Sequence, residues 1–66
     1  MTVPALSHDQ LIADLVTTRD WAEREAFYYR RRAADSHDRT HAIDLEDMAA
    51  TLAAVIANLR AERRAP

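Results

Sequence analysis

The chain contains no glycine, and its only two prolines are Pro4 and Pro66. Between them, no residue readily adopts a positive φ angle and none lacks the backbone N–H that a helix requires. Alanine occurs fourteen times and arginine nine times, and both residues are strong helix formers. These features predict an all-α protein.

The size of the chain limits how it can be stabilised. A chain of 66 residues buries only about 60% of its unfolded surface and is marginally stable on its own. Cysteine is absent, which excludes disulfides and thiol chemistry. Because 48% of the residues are hydrophobic, the composition is not that of a disordered chain. We therefore expect one small helical domain over residues 1–66 that gains stability from a partner.

The first helix is predicted at residues 8–35. Ser7 and Gln10 have the spacing of a capping box, in which each side chain bonds the backbone N–H of the other residue. Asp9 falls in the first turn, where the helix dipole favours a negative charge. Apolar residues then recur mainly in steps of three and four, which is typical of a helix with one buried face. They are Ile12, Leu15, Ala22, Ala26, Tyr29 and Ala33.

The second helix is predicted at residues 42–64, after a connector at 36–41. The apolar stripe of this helix is out of phase with the first stripe, so one continuous helix would point two apolar faces in different directions. The segment between the stripes is rich in Asp, Ser, His and Thr, and Ser36, Asp38 and Thr40 are each plausible helix caps. A reversal there would bring the basic end of each helix near the acidic start of the other. The sequence therefore predicts an antiparallel two-helix hairpin.

The middle of the second helix is apolar almost all the way round. From Met48 to Ala57, only Thr51 is polar. A helix of this kind is buried on more than one side, and one partner helix cannot cover it. We therefore expect two hairpins to associate through the second helix as a four-helix bundle, either as a homodimer or with a different helical protein. The predicted oligomer interface is Leu45, Met48, Leu52, Val55, Ile56 and Leu59.

Four aromatic residues lie within nine positions of the first helix and cannot all face one core. Trp, Tyr and Arg are enriched at the energetic centres of protein interfaces. The pattern favours a non-catalytic protein–protein interaction module, such as a small adaptor, inhibitor or regulator that binds another protein through a helical face. An alternative is that some of these rings pack inside the bundle. The predicted partner-binding residues are Trp21, Arg24, Tyr28, Arg31 and Arg32.

The sequence leaves two other kinds of site open. Arg24 and the arginines at 30–32 could contact phosphates, which would suit a small nucleic-acid-associated regulator. The net charge of −2 opposes this alternative, because nucleic acid attracts strongly basic surfaces. His37, Asp38 and His41 have spacings found among metal ligands, but the remaining ligands of a complete set are missing. No metal and no other cofactor is therefore expected.

Catalysis and membrane insertion are not expected from this sequence. It contains no nucleophile–base pair at useful spacing and no glycine-rich phosphate loop. The longest apolar run, from Leu52 to Ala57, is far shorter than a membrane span, and no signal-peptide pattern is evident. We expect a cytoplasmic protein. The use of arginine without lysine suggests a GC-rich gene from a bacterium or phage.

Overall fold

The computed structural model describes residues 7–32 and 35–64, and it consists of two long helices with no strand in that part of the chain. Helix α1 is His8–Arg32 and helix α2 is Ser36–Arg64. The two helices are antiparallel, because His8 near the start of α1 contacts the backbone carbonyl of Leu59 near the end of α2 at 2.9 Å. The predicted all-α helical hairpin is therefore confirmed.

Helix α1 begins with the predicted capping box. The Gln10 backbone N–H donates to the Ser7 hydroxyl at 3.1 Å, and the Ser7 backbone N–H donates to the Gln10 side-chain oxygen at 3.2 Å. Each side chain thus satisfies a backbone donor that has no partner within the helix. The last described turn carries Arg30, Arg31 and Arg32, whose charges suit the negative end of the helix dipole.

Helix α2 begins six residues before the predicted start at 42, and the predicted connector at 36–41 is helical. The cap is Asp35 and not Ser36, Asp38 or Thr40. One Asp35 carboxylate oxygen accepts the backbone N–H of Asp38 at 2.9 Å. The residues of this segment are therefore first-turn residues of α2, since Asp and Ser suit a helix start as well as a turn. The first helix was predicted to end at residue 35, but Asp35 caps α2, and the last described residue of α1 is Arg32. Residues 33 and 34, which include the predicted stripe residue Ala33, lie outside the described part of the chain.

We expect Asp35→Ala to lower the free energy of unfolding by about 1 kcal/mol, the usual cost of removing an N-cap side chain. The matched control is Ser36→Ala, which changes the neighbouring residue but removes no capping bond and should have almost no effect. The measurement is urea unfolding followed by circular dichroism at one protein concentration. A larger loss for Ser36→Ala than for Asp35→Ala would contradict this assignment of the cap.

The core of the hairpin is built mostly from alanine. Ala22 and Ala26 of α1 pack with Leu45 and Ala49 of α2, and the half-buried ring of Tyr29 covers this cluster. Small side chains allow the two helix backbones to approach closely, but each buries little apolar surface. In the described part of the chain, the large side chains that are buried are Leu45 and Ile56, and the other buried hydrophobic residues are alanines. The hairpin therefore has a thin core.

Ion pairs join both ends of the two helices in the manner expected of an antiparallel pair. Arg30 pairs with Glu46 and Arg32 with Asp38 near the reversal, while Arg63 pairs with Asp9 at the far end. Exposed pairs of this kind typically contribute less than about 1 kcal/mol each. These ion pairs favour the antiparallel register, but they do not replace the stabilising free energy that a larger buried apolar core would contribute.

Neither helix contains, within the described residues, a stretch that is both long enough and apolar enough to cross a lipid bilayer.

Candidate interaction surfaces

One broad side of the hairpin carries several large apolar side chains. Met48 and Val55 are exposed, and Leu52 and Leu59 are half-buried. Steps of four, three and four place these four residues in one stripe along α2. Trp21 of α1 is 46% exposed and lies level with this stripe, because its neighbour Ala22 packs in the same cluster as Ala49.

The Arg30–Glu46 ion pair shows that Trp21 and Met48 share one side. Nine residues separate Trp21 from Arg30, which is two and a half helical turns, so the two side chains leave α1 in opposite directions. Met48 follows Glu46 by two residues and leaves α2 nearly opposite to it. Both therefore lie on the side of the hairpin away from the ion pair. We call this surface the Met48 face; it consists of Trp21, Met48, Leu52, Val55 and Leu59.

The structure divides the predicted oligomer interface into two groups. Leu45 and Ile56 are buried against α1 within a single hairpin, so they hold the fold together and are not on the outer surface. Met48, Leu52, Val55 and Leu59 belong to the Met48 face. The six residues lie within an arc of about 100° on α2, which is the width of one ordinary apolar stripe. Helix α1 covers one edge of this stripe and leaves the other edge outside, and the sequence gives no sign of which edge α1 covers.

A second surface lies on the C-terminal half of α1, where two aromatic rings each meet an arginine four residues later. The Arg31 guanidinium lies over the Phe27 ring, 5.5 Å from its centroid. The Arg32 Nη1 donates to the Tyr28 hydroxyl at 3.3 Å. The two pairs line one shallow cleft. Arg24 lies on the same line of α1 as Arg31, seven residues earlier, and belongs to the same surface. We call this surface the arginine–aromatic crest; it consists of Arg24, Phe27, Tyr28, Arg31 and Arg32.

The crest contains four of the five predicted partner-binding residues, and all four are exposed. The fifth predicted residue is Trp21. It lies on the same line of α1 as Tyr28, but two helical turns earlier, beside the Met48 stripe of α2. Phe27 was not among the predicted residues, although at 63% exposure it is the most exposed of the large hydrophobic side chains described. Its i, i+4 spacing to Arg31 is a sequence signal that could have identified it.

The arginines at the end of α1 differ in their charge environment. Arg30 makes two hydrogen bonds with the Glu46 carboxylate, the second joining Nη2 and Oε2 at 2.7 Å. This contact lowers the pKa of Glu46 and raises the pKa of Arg30. The bond to Tyr28, with the Asp38 carboxylate 3.7 Å away, raises the pKa of Arg32. Two of the four cations predicted as phosphate contacts, Arg30 and Arg32, are thus already paired with carboxylates.

The histidines predicted as possible metal ligands lie on the first turns of α2. The rings of His37 and His41 are parallel, with centroids 6.4 Å apart, and His41 makes an edge-to-face contact with Tyr29 at 4.5 Å. Asp38 is buried and faces Arg32. Among the residues that the structure describes, no three His, Asp or Glu side chains gather closely enough to hold a metal ion. The His41–Tyr29 contact instead packs α2 against α1.

A shallow groove runs along the opposite side of the hairpin from the Met48 face. Its floor is alanine from both helices, with Phe27 on one wall and the Arg30–Glu46 ion pair across one end. Such a surface can receive apolar side chains. The lining residues are Glu23, Ala26, Phe27, Arg30, Glu46, Ala49, Ala50 and Ala53.

Comparison of the chain with models of protein families, with curated proteins and with solved structures finds no match.

Proposed function

We propose that this chain is a non-catalytic protein–protein interaction module. In this proposal, two hairpins pack through their Met48 faces as a four-helix bundle, and the outward residues of the arginine–aromatic crest, Arg24, Phe27 and Arg31, stay exposed to bind another protein. The class of function is that of a small adaptor, inhibitor or regulator.

The observation that carries this proposal is the mismatch between buried and exposed apolar side chains. Leu45 and Ile56 are the large side chains buried in the described part of the hairpin, whereas Trp21 is 46% and Met48 44% exposed. Burying an apolar side chain of this size contributes about 1.5–3 kcal/mol. A hairpin with a thin core therefore gains much of its stability from covering the Met48 face, and another helical hairpin has the shape to cover it.

The alternative function, a small nucleic-acid-associated regulator, has less support. Arg30 and Arg32 would have to leave Glu46 and Asp38 to reach a phosphate backbone. The net charge of −2 also disfavours association with a polyanion. Arg24 and Arg31, which are absent from the ion pairs of the described residues, are better suited to a protein surface, where one or two charge-assisted contacts are sufficient.

Light scattering coupled to size-exclusion chromatography tests the proposed bundle. We expect the wild-type chain to have twice the mass of the 7.5 kDa monomer, and Met48→Glu to weaken association by at least about a hundredfold, since a carboxylate would be buried without a partner. The matched control is Ile43→Glu. Ile43 is 49% exposed on the same helix but leaves α2 on the other side, so this variant should remain a dimer.

Two results would contradict the proposed bundle. One is a wild-type chain that is helical and monomeric at every concentration. The other is equal dissociation by Met48→Glu and Ile43→Glu, which would mean that the Met48 face has no special role. A monomer with little helix would also contradict the homodimer, and association with a different helical protein would then be the remaining form of the bundle to test.

A further inference from the structure

We infer that the arginine–aromatic crest binds an acidic helical segment of another protein, with carboxylates two helical turns apart and an apolar side chain between them. This inference rests on the proposed function and deepens it, because it gives the chemistry of the partner. It is carried by the arrangement of two unpaired cations and two exposed rings on one surface.

The cations of the crest that make no ion pair are Arg24 and Arg31. The ion pairs in the described part of the chain use Arg19, Arg30, Arg32 and Arg63. Arg24 and Arg31 are both exposed, and the Arg31 guanidinium lies over the Phe27 ring. Each guanidinium therefore retains N–H donors for a carboxylate from outside.

The spacing of these cations defines the ligand. Seven residues separate Arg24 from Arg31, which places them on one line of α1 about 10 Å apart. A partner helix with carboxylates seven residues apart has the same spacing and can meet both guanidinium groups. Planar guanidinium groups suit this contact, because a carboxylate can accept two of their N–H bonds at once.

The rings of the crest favour a protein over a plain anion. Phe27 and Tyr28 lie on either side of the line that joins Arg24 and Arg31 along α1. The Phe27 side chain is 63% exposed and the Tyr28 side chain is 53% exposed. The cleft between them is mostly apolar and is bordered by Arg31 and Arg32. An apolar side chain seated there would exclude water from the neighbouring ion pairs, which strengthens them. Aromatic residues and arginine together are typical of the energetic centre of a protein interface.

The acidic residues beside the crest disfavour a long polyanion. Asp20, Glu23 and Glu25 lie on the same helix, within two turns of Arg24. A nucleic acid strand running along α1 would pass these carboxylates and would be repelled by them. A short acidic segment with two defined carboxylates passes fewer of these residues, because it extends little beyond Arg24 and Arg31.

Fluorescence anisotropy with the full chain tests this inference. The probes are a labelled 15-residue helical peptide of Ala and Leu with two Glu residues seven apart, the same peptide with both Glu replaced by Gln, and a 15-nucleotide single-stranded DNA. We expect the Glu peptide to bind at least about tenfold more tightly than the Gln peptide, because a hydrogen bond between two charged groups is stronger than one to a neutral amide. The DNA should bind more weakly than the Glu peptide.

Substitutions in the arginine–aromatic crest test whether the Glu peptide binds there. Arg31→Gln and Phe27→Ala should each weaken binding of the Glu peptide by about tenfold or more. The matched control is Arg39→Gln, which removes an exposed arginine of α2 and should leave the affinity unchanged. Equal affinity for the two peptides, no binding of the Glu peptide, or tighter binding of the DNA would each overturn the inference.

Light scattering on the same samples separates this inference from the proposed function. Arg31→Gln lies outside the Met48 face and should leave the mass of the dimer unchanged. A dimer that binds both peptides equally well would overturn the specificity for an acidic segment. It would not contradict the proposed function as a protein–protein interaction module. A wild-type monomer would contradict the bundle, whatever the peptides do.

Discussion

Ile56→Ala is expected to lower the free energy of unfolding by about 2–5 kcal/mol, the usual cost of truncating a fully buried isoleucine. Ile56 is 1% exposed and, with Leu45, is one of the two large side chains buried in the hairpin among the described residues. Total stabilities of small domains are only about 5–15 kcal/mol, so this loss should remove a large part of the fold. Urea unfolding followed by circular dichroism at a fixed protein concentration gives the value.

The matched control for Ile56→Ala is Ile43→Ala, which deletes the same atoms from an isoleucine of the same helix. Ile43 is 49% exposed, so the control should cost well under about 1 kcal/mol. Comparable losses at the two positions would mean that the end of the hairpin containing Ile56 is not packed as the structure shows.

Ala22→Leu is expected to destabilise the hairpin by about 1–3 kcal/mol or more, although leucine is itself a good helix former. Ala22 has no exposed surface and belongs to the cluster formed with Ala26, Leu45 and Ala49. A larger side chain there has no space unless α1 and α2 move apart, and that movement would weaken the contacts on both sides. Thermal unfolding at a fixed protein concentration measures the effect.

Ala13→Leu is the control for Ala22→Leu. Ala13 is an exposed residue of the same helix, so the same chemical change should be nearly neutral there. If Ala22→Leu were as stable as the control, the close approach of the two helices at the alanine cluster would be wrong. The pair of variants therefore tests packing independently of helix propensity.

The thin core connects these stability predictions to the proposed function. The alanine cluster brings the helices close together but buries little surface, and the larger apolar residues remain on the Met48 face. Folding of the hairpin and association through this face are therefore expected to be coupled. The stability of wild type and variants should rise with protein concentration, as it does when a native state is a dimer.

Local rules were sufficient for part of the fold. The absence of glycine and internal proline predicted helix throughout, and the spacing of Ser7 and Gln10 predicted the start of α1, because capping depends on residues close in sequence. The reversal was located less well. Asp, Ser and His suit a turn and a helix start alike, so the segment after Asp35 was predicted as a connector and is the first turns of α2.

What the sequence determined by itself is the helical character of the chain, the existence of one reversal and the pairing of basic with acidic ends. The tertiary structure decided which side of α2 faces α1. Leu45 and Ile56 became core, whereas Met48 and Val55 remained outside, although all four are apolar residues of one helix. It also separated the two sides of α1, leaving Phe27 exposed beside Arg31. Periodicity fixes the angle between side chains on one helix, but only the contact between two helices fixes which angle points inward.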